Sequence, residues 1–151
     1  SAALVEKGAD TSKVSKLIYD TNSENRLRLL GYALSENLKV LTKYNAAYFA
    51  LSEKMLQRFN AQMGDTEGLV NYALSIKGIK LAALFKESDG IVKISFRSVG
   101  DFSVNDLAKK HFSGGGHKNA AGGMSASTLA ETVQRFEKIL EENQKELTIK
   151  N

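Results

Sequence analysis

The stretch Phe112-Ser113-Gly114-Gly115-Gly116-His117-Lys118-Asn119-Ala120-Ala121-Gly122-Gly123 constrains the fold of this chain more than any other. Five glycines and two alanines leave it almost without side-chain bulk. Successive glycines can take positive φ and turn their N–H groups toward one point, which makes a concave nest for an anion. His117 and Lys118 set donors at the end of that nest, and Lys109, Lys110 and His111 lie just upstream. The physical reading is a phosphate site. It is not a P-loop, because the G-x-x-x-x-G-K-[ST] spacing is absent and Asn119 follows Lys118. On the residues alone, a tight turn in which two backbones pack closely explains the glycines equally well.

A chain of 151 residues makes one ordinary domain, or a smaller domain with a piece of another. It has no cysteine, which excludes disulfides and Cys-based zinc or iron–sulfur sites. No apolar run reaches membrane-spanning length and no signal segment opens the chain, so a cytoplasmic protein without a membrane partner is expected. The net charge of +4 is a mild bias toward anionic partners. The chain starts at Ser1 without an initiator Met, and its start reads as a cut inside a longer protein.

Around the glycine run, the chain alternates helix and strand signals. Residues 2–9 read as the end of a helix closed by Gly8. Asp10 then caps a short helix with Val14, Leu17 and Ile18, and Ser23 caps another with Leu27, Leu30 and Leu34. These helices look like the edge of something larger. Residues 38–42 and 46–51 are short strands around a Lys43-Tyr44-Asn45 turn. Ser52 starts a helix with Met55, Leu56 and Phe59, which Gly64 breaks. Asp65 or Thr66 caps the next, which carries Leu69, Val70, Tyr72 and Ala73.

The clearest hairpin pairs residues 80–86 with 91–98 through Glu87-Ser88-Asp89-Gly90. In its second strand Val92, Ile94 and Phe96 share one face, while Lys93, Ser95 and Arg97 share the other. Ser103 with Asp106 starts a helix that runs to about Lys110, and residues 120–126 form a last strand. Thr128 and Glu131 form a capping box for one long C-terminal helix with the stripe Leu129, Val133, Phe136, Leu140 and Leu147. The expected fold class is α/β: a small mixed sheet covered by helices, preceded by two helices of an upstream domain and linker.

The ordered set Ile94-Ser95-Phe96-Arg97-Ser98, Val104-Asn105, Gly114-Gly115-Gly116-His117 and Ala120-Ala121-Gly122 resembles the DHH-associated domain of the DHH phosphoesterase superfamily. Upstream, residues 65–76 resemble the family's segment before the central hairpin, and residues 8–32 resemble the end of its catalytic domain and the connecting helix. The resemblance divides the chain into a catalytic-domain remnant at 1–22, a connecting helix at 23–37 and the DHH-associated substrate-binding domain at 38–151. The closest subgroup is the bacterial nanoRNase and 3′-phosphoadenosine 5′-phosphate phosphatase type. Such enzymes hydrolyse very short RNA and remove the 3′-phosphate of that nucleotide, and relatives cleave cyclic di-AMP or its linear product.

Carried over residue by residue, the resemblance makes Gly114, Gly115, Gly116 and His117 a substrate-phosphate loop. It makes Arg97 the arginine that grips phosphate or stacks near the base, and Asn105 a polar residue near the same pocket. Lys118 joins them on charge and position. The alternatives are an arginine on a solvated strand face, a loop histidine capping a carbonyl and an asparagine satisfying local backbone. His111 reads as structural, Arg26 and Arg28 as surface charges, and Tyr44, Tyr48 and Phe49 as packing residues.

The family's chemistry uses a pair of Mn²⁺ ions held by Asp and His, including an Asp-His-His triplet. This chain has two histidines, six scattered aspartates and neither Asp-x-Asp nor Asp-His-His. The expectation is a substrate-binding half whose Mn²⁺ belongs to the missing upstream domain. Its partners are short RNA or nucleotide phosphates, and alone it binds without cleaving. A homodimer is left open. The competing readings are an RNA-interaction module of the kind appended to alanyl-tRNA synthetases and a structural domain whose glycine loop is packing.

Overall fold

The computed structural model describes residues 22–149. The helices read within residues 1–21 lie outside these residues. Helix α1, Glu24–Tyr32, runs into a π-helical turn at Ala33–Asn37. Ser23 caps α1 by accepting the Arg26 N–H at 3.0 Å. The buried positions of this segment are Leu29 and Ala33, whereas Leu27 is 52% exposed. The expected Leu27–Leu30–Leu34 stripe is therefore turned, with Leu30 and Leu34 only partly buried at its flank.

Strand β1, Lys39–Leu41, pairs antiparallel with β2, Ala46–Leu51, around a 3₁₀ turn at Thr42–Tyr44. Asn45 closes that turn in the left-handed region at φ 52°. Helices α2, Glu53–Arg58, and α3, Leu69–Leu74, cross over to β3, Leu81–Ser88, which pairs parallel with β2. Gly68, not Asp65 or Thr66, precedes α3 at its N-cap. The Asp65 carboxylate instead accepts the Gln62 N–H at 2.8 Å and closes the turn before it.

Strand β4, Ile91–Ser98, returns antiparallel to β3. Glu87 and Ser88 stay in the ladder, so the turn is the two residues Asp89 and Gly90, both at positive φ as a tight hairpin turn needs. Helix α4, Val104–His111, is capped by Ser103, which accepts the Asp106 N–H at 3.2 Å. Strands β5, Gly115–His117, and β6, Ala120–Ser125, follow as a hairpin. The C-terminus is two helices, α5 Leu129–Glu142 and α6 Gln144–Thr148, where the sequence suggested one. Asn143 makes the break, its side chain donating to the Ile139 carbonyl at 2.8 Å in competition with the helix ladder.

The six strands lie in the order β1-β2-β3-β4-β6-β5. On one face Tyr48, Phe85, Phe96, Phe112 and Phe136 form a contiguous aromatic core under α4, α5 and α6. On the other face Ala47, Phe49, Leu51, Ala82 and Leu84 pack against α3 and the end of α1. That second layer covers the β1–β3 half of the sheet. Beyond it the same face of β4 presents exposed Lys93 and half-buried Ser95 and Arg97, while Val92, Ile94 and Phe96 are buried beneath. The period-2 alternation of β4 thus leaves one bare half-face beside a fully packed sheet.

Candidate functional site

The glycine run is a strand rather than a nest. Gly115 and Gly116 pair with Gly122 and Ala121, and their backbones are extended. What the run requires is close approach: a Cβ on Gly114 would lie 1.9 Å from the Gly122 carbonyl oxygen, and one on Gly116 2.7 Å from that of Ala120. The hairpin is clamped from below. Asn105 Oδ1 accepts the Gly116 N–H at 2.9 Å, and the Val104 N–H donates to the Lys118 carbonyl at 2.8 Å. Asn119 Nδ2 donates to Ser98 Oγ at 2.9 Å and to the Gly100 carbonyl at 3.1 Å. Asn119, which sequence reading passed over, therefore ties the hairpin tip to the end of β4.

Register brings Arg97 and His117 into one row. Arg97 is opposite Ala120 across β4–β6, and Ala120 is opposite His117 across β6–β5. Two strand spacings separate their backbones by about 10 Å, and only a methyl group stands between them. In the next row Ser95 is followed by Gly122 and Gly115, so no side chain rises beyond the serine. Arg97 Nη1 donates to the Phe96 carbonyl at 2.8 Å, and no carboxylate forms an ion pair with Arg97 among the described residues.

Arg97 also lines a cavity of about 480 Å³ between the sheet and the segment before α3. Thr66, Gly68 and Asn71 form one wall, and Lys86, Lys93 and Ser95 form the other. Asn105, the glycines, His117 and Lys118 are not part of that lining. His117 is exposed beside it, while Asn105 supports the strand from the α4 side. Lys118 Nζ is engaged by Asp101 at 3.0 Å, and both side chains are largely exposed. Lys86, Lys93 and Asn71 are the lining residues that sequence reading did not single out. The alternation of Lys93 and Ser95 with Arg97 was the available signal for one of them.

His111 lies elsewhere, in a cavity of about 260 Å³ between α4 and the C-terminal helices. Burial holds its pKa below the usual value, with Lys110 and Arg135 adding to the effect and Glu142 opposing it. Phe49 and Tyr48 are buried core residues and Tyr44 packs against the core. The Arg28 guanidinium pairs with Glu24 on the surface at 2.8 Å. Among the described residues no group of three or more His, Cys, Asp or Glu side chains could hold a metal ion. No helix among them is long and apolar enough to cross a membrane.

A mixed sheet with helices on both sides and one bare half-face edged by a glycine hairpin defines an α/β domain. Residues 41–146 match the DHHA1 domain, and the chain belongs to that family. It is 35% identical over 105 residues to the probable bifunctional oligoribonuclease and PAP phosphatase NrnA of Streptococcus mutans, covering 69% of this chain and 33% of the relative. It is 29% identical over 119 residues to bifunctional oligoribonuclease and PAP phosphatase NrnA of Bacillus subtilis, covering 79% of this chain and 36% of the relative. The chain spans about one third of the length of the curated relatives it matches.

Among solved structures, an exopolyphosphatase-related protein of Bacteroides fragilis superposes with a TM-score of 0.85 at 42% identity, over 98% of this chain and 43% of that one. The pGpG-specific phosphodiesterase PggH of Vibrio cholerae shares the fold at a TM-score of 0.56 and 18% identity, over 80% of this chain and 39% of that one.

Proposed function

We propose that this chain is the substrate-binding part of a DHH-type phosphoesterase that acts on short oligoribonucleotides and 3′-phosphoadenosine 5′-phosphate. The relatives' names supply the substrate class, and the row Arg97–Ala120–His117 is the observation that supports a phosphate site in this chain. The planar guanidinium of Arg97 suits bidentate contact with phosphate oxygens. His117 adds a donor across the row, and the side-chain-free run Gly114–Gly116 lets a ligand approach the backbone. Asn105 holds that strand, and Lys118 contributes charge at the tip. The residues described do not fit a metal pair, so the Mn²⁺ of this reading belongs to an upstream catalytic domain and the chain's own part is binding and orientation. The reading places the protein in the cytoplasm, without a membrane partner.

The test is a calorimetric titration of this chain with a 5′-phosphorylated ribodinucleotide, without metal, for wild type, Arg97→Ala and His117→Ala. Half a site should bind with a Kd of about 0.1–1 mM, and both substitutions should abolish measurable binding. The chain alone should release no mononucleotide. Equal affinity of all three proteins would remove Arg97 and His117 from the site. An RNA ligand that binds irrespective of its phosphates would favour an RNA-interaction module instead.

A further inference from the structure

We propose that the cavity beside Arg97 is a nucleobase pocket in which Thr66, Asn71 and Ser95 read the edge of the ring, so that this face selects the base of the nucleotide whose phosphate it holds. The inference rests on the phosphate reading of Arg97 given above. The cavity of about 480 Å³ is floored by the buried apolar residues Val70, Leu84 and Ile94. Its walls carry neutral polar side chains whose hydrogen-bonding capacity is unused.

Thr66 is the most telling of these. It is only 7% exposed and lines the cavity, yet its hydroxyl makes no hydrogen bond among the described residues. Every fully enclosed side-chain polar atom among those residues has a partner, so the Thr66 hydroxyl opens on the cavity rather than into the core. A hydroxyl taken out of water without a partner costs stability, and a ligand that supplies the partner recovers it. Asn71 and half-buried Ser95 line the same space, and neither side chain hydrogen-bonds to another described residue. Hydroxyls and side-chain amides both donate and accept. That mixed set matches the edge of a nucleobase, which carries donors and acceptors side by side, whereas an ionised phosphate oxygen only accepts.

Charge points the same way. The cavity adjoins a second one of about 600 Å³ and shares Thr66, Lys86 and Lys93 with it. Together they are lined by the carboxylates Glu53, Glu67 and Glu87 and by the cations Lys86, Lys93 and Arg97. Away from Arg97 the opposite charges offset one another, and such a space suits a neutral ring better than a further anion. Ser95 and Arg97 are two residues apart on one face of β4, about 7 Å between backbones. A ribose spans that interval, with its phosphate on the Arg97 fork and its base over the apolar floor. The Ser95 row continues into Gly122 and Gly115, so the sugar meets no further side chain.

The experiment is an NMR titration of this chain with adenosine 5′-monophosphate, uridine 5′-monophosphate and ribose 5-phosphate, which share a phosphorylated ribose and differ in the base. The proteins are wild type, Thr66→Val, Asn71→Ala and Arg97→Ala. Wild type should bind at least one of the nucleotides about tenfold more tightly than ribose 5-phosphate. Thr66→Val keeps the side chain's shape and removes the hydroxyl. Its nucleotide affinity should fall about fivefold, the effect of one hydrogen bond, while ribose 5-phosphate binds as to wild type. Its Tm should hold or rise, because no hydrogen bond within the protein is lost. Asn71→Ala should narrow the same ratio, and Arg97→Ala should weaken all three ligands alike. Equal binding of the three ligands by wild type, or a nucleotide preference that survives in both Thr66→Val and Asn71→Ala, overturns the pocket and leaves Arg97 in place. A marked fall in the Tm of Thr66→Val would show its hydroxyl satisfied within the protein and overturns it as well. Wild type that binds none of the three ligands overturns the Arg97 reading itself, and the pocket with it.

Discussion

Asn105 Oδ1 accepts the N–H of Gly116 at 2.9 Å, joining the first turn of α4 to a strand that has almost no side chains of its own. A Gly-rich edge strand is costly to order and has little to pack with, so one side-chain acceptor matters more here than in an ordinary strand. Asn105→Ala should lower unfolding free energy by about 1 kcal/mol in urea denaturation and weaken dinucleotide binding several-fold through a looser hairpin. Asn105→Asp separates support from charge. It keeps the acceptor and should recover most of the stability, yet its negative charge should leave phosphate binding weak. A variant that recovers both would show that Asn105 acts through the strand alone, and full binding by Asn105→Ala would remove it from the site.

The glycines divide into those that the fold needs and those that the surface uses. The Cβ of Gly114→Ala would sit 1.9 Å from the Gly122 carbonyl, backbone that cannot move aside cheaply. That substitution should cost roughly 3 kcal/mol or more and displace the β5–β6 hairpin, as denaturation and amide exchange would show. Gly122→Ala meets only the Ile94 carbonyl, at 3.4 Å, so the chain should fold. Its methyl group would stand beside Ser95 on the bare half-face, and ligand affinity should fall while Tm stays within a few degrees. Loss of folding by Gly122→Ala, or normal stability of Gly114→Ala, would contradict this division.

Lys118 and Asp101 make an exposed pair at the hairpin tip, at 3.0 Å. Such pairs contribute about 0–1 kcal/mol, so Asp101→Asn should leave stability nearly unchanged. Freed from its partner, Lys118 would add to the positive field over Arg97 and His117. Affinity for a 5′-phosphorylated dinucleotide should rise about twofold at low salt, and the gain should vanish at high ionic strength. An equal gain at every salt concentration would point to a cause other than this charge.

Much of the fold was legible because it rests on local chemistry. Ser23, Ser52, Ser103 and Thr128 were all readable as N-caps, and each accepts the N–H three residues on. The Val92–Ile94–Phe96 alternation is buried as period 2 requires, and it leaves Arg97 on the uncovered face. The failures arise where two local solutions compete and tertiary packing chooses. Leu27 and Leu29 each continue a helical stripe with their neighbours, and the folded chain buries Leu29 while Leu27 stays exposed. Asp65 could cap a helix or close a turn, and it closes the turn.

The glycine run looked like an anion nest because glycine permits positive φ. A strand of glycines carries no side-chain pattern, so its pairing with β6 was invisible. The Arg97–His117 row depends on the register of three strands, and the clamp by Asn119 joins residues 21 apart. Neither is encoded in local spacing.

Tyr48 couples the sheet to α5. Its hydroxyl donates to Glu137 Oε2 at 2.8 Å, and Lys39 Nζ reaches the same oxygen at 3.3 Å. Burial raises the phenol's pKa well above its usual value, and the hydrogen bond to Glu137 and that carboxylate's charge push it further. The folded state thus holds the phenolic proton more tightly than the unfolded chain, which releases it near pH 10. This contribution is present in full below about pH 10 and is lost as pH rises beyond it toward the folded pKa, because the unfolded state ionises first. Tyr48→Phe should cost about 1 kcal/mol at neutral pH for the lost hydrogen bond. It should also flatten the alkaline limb of the stability profile, so the gap from wild type narrows between about pH 10 and 11. Urea denaturation across pH 7–11 measures both effects, and parallel profiles for the two proteins would show that Tyr48 does not govern the alkaline loss.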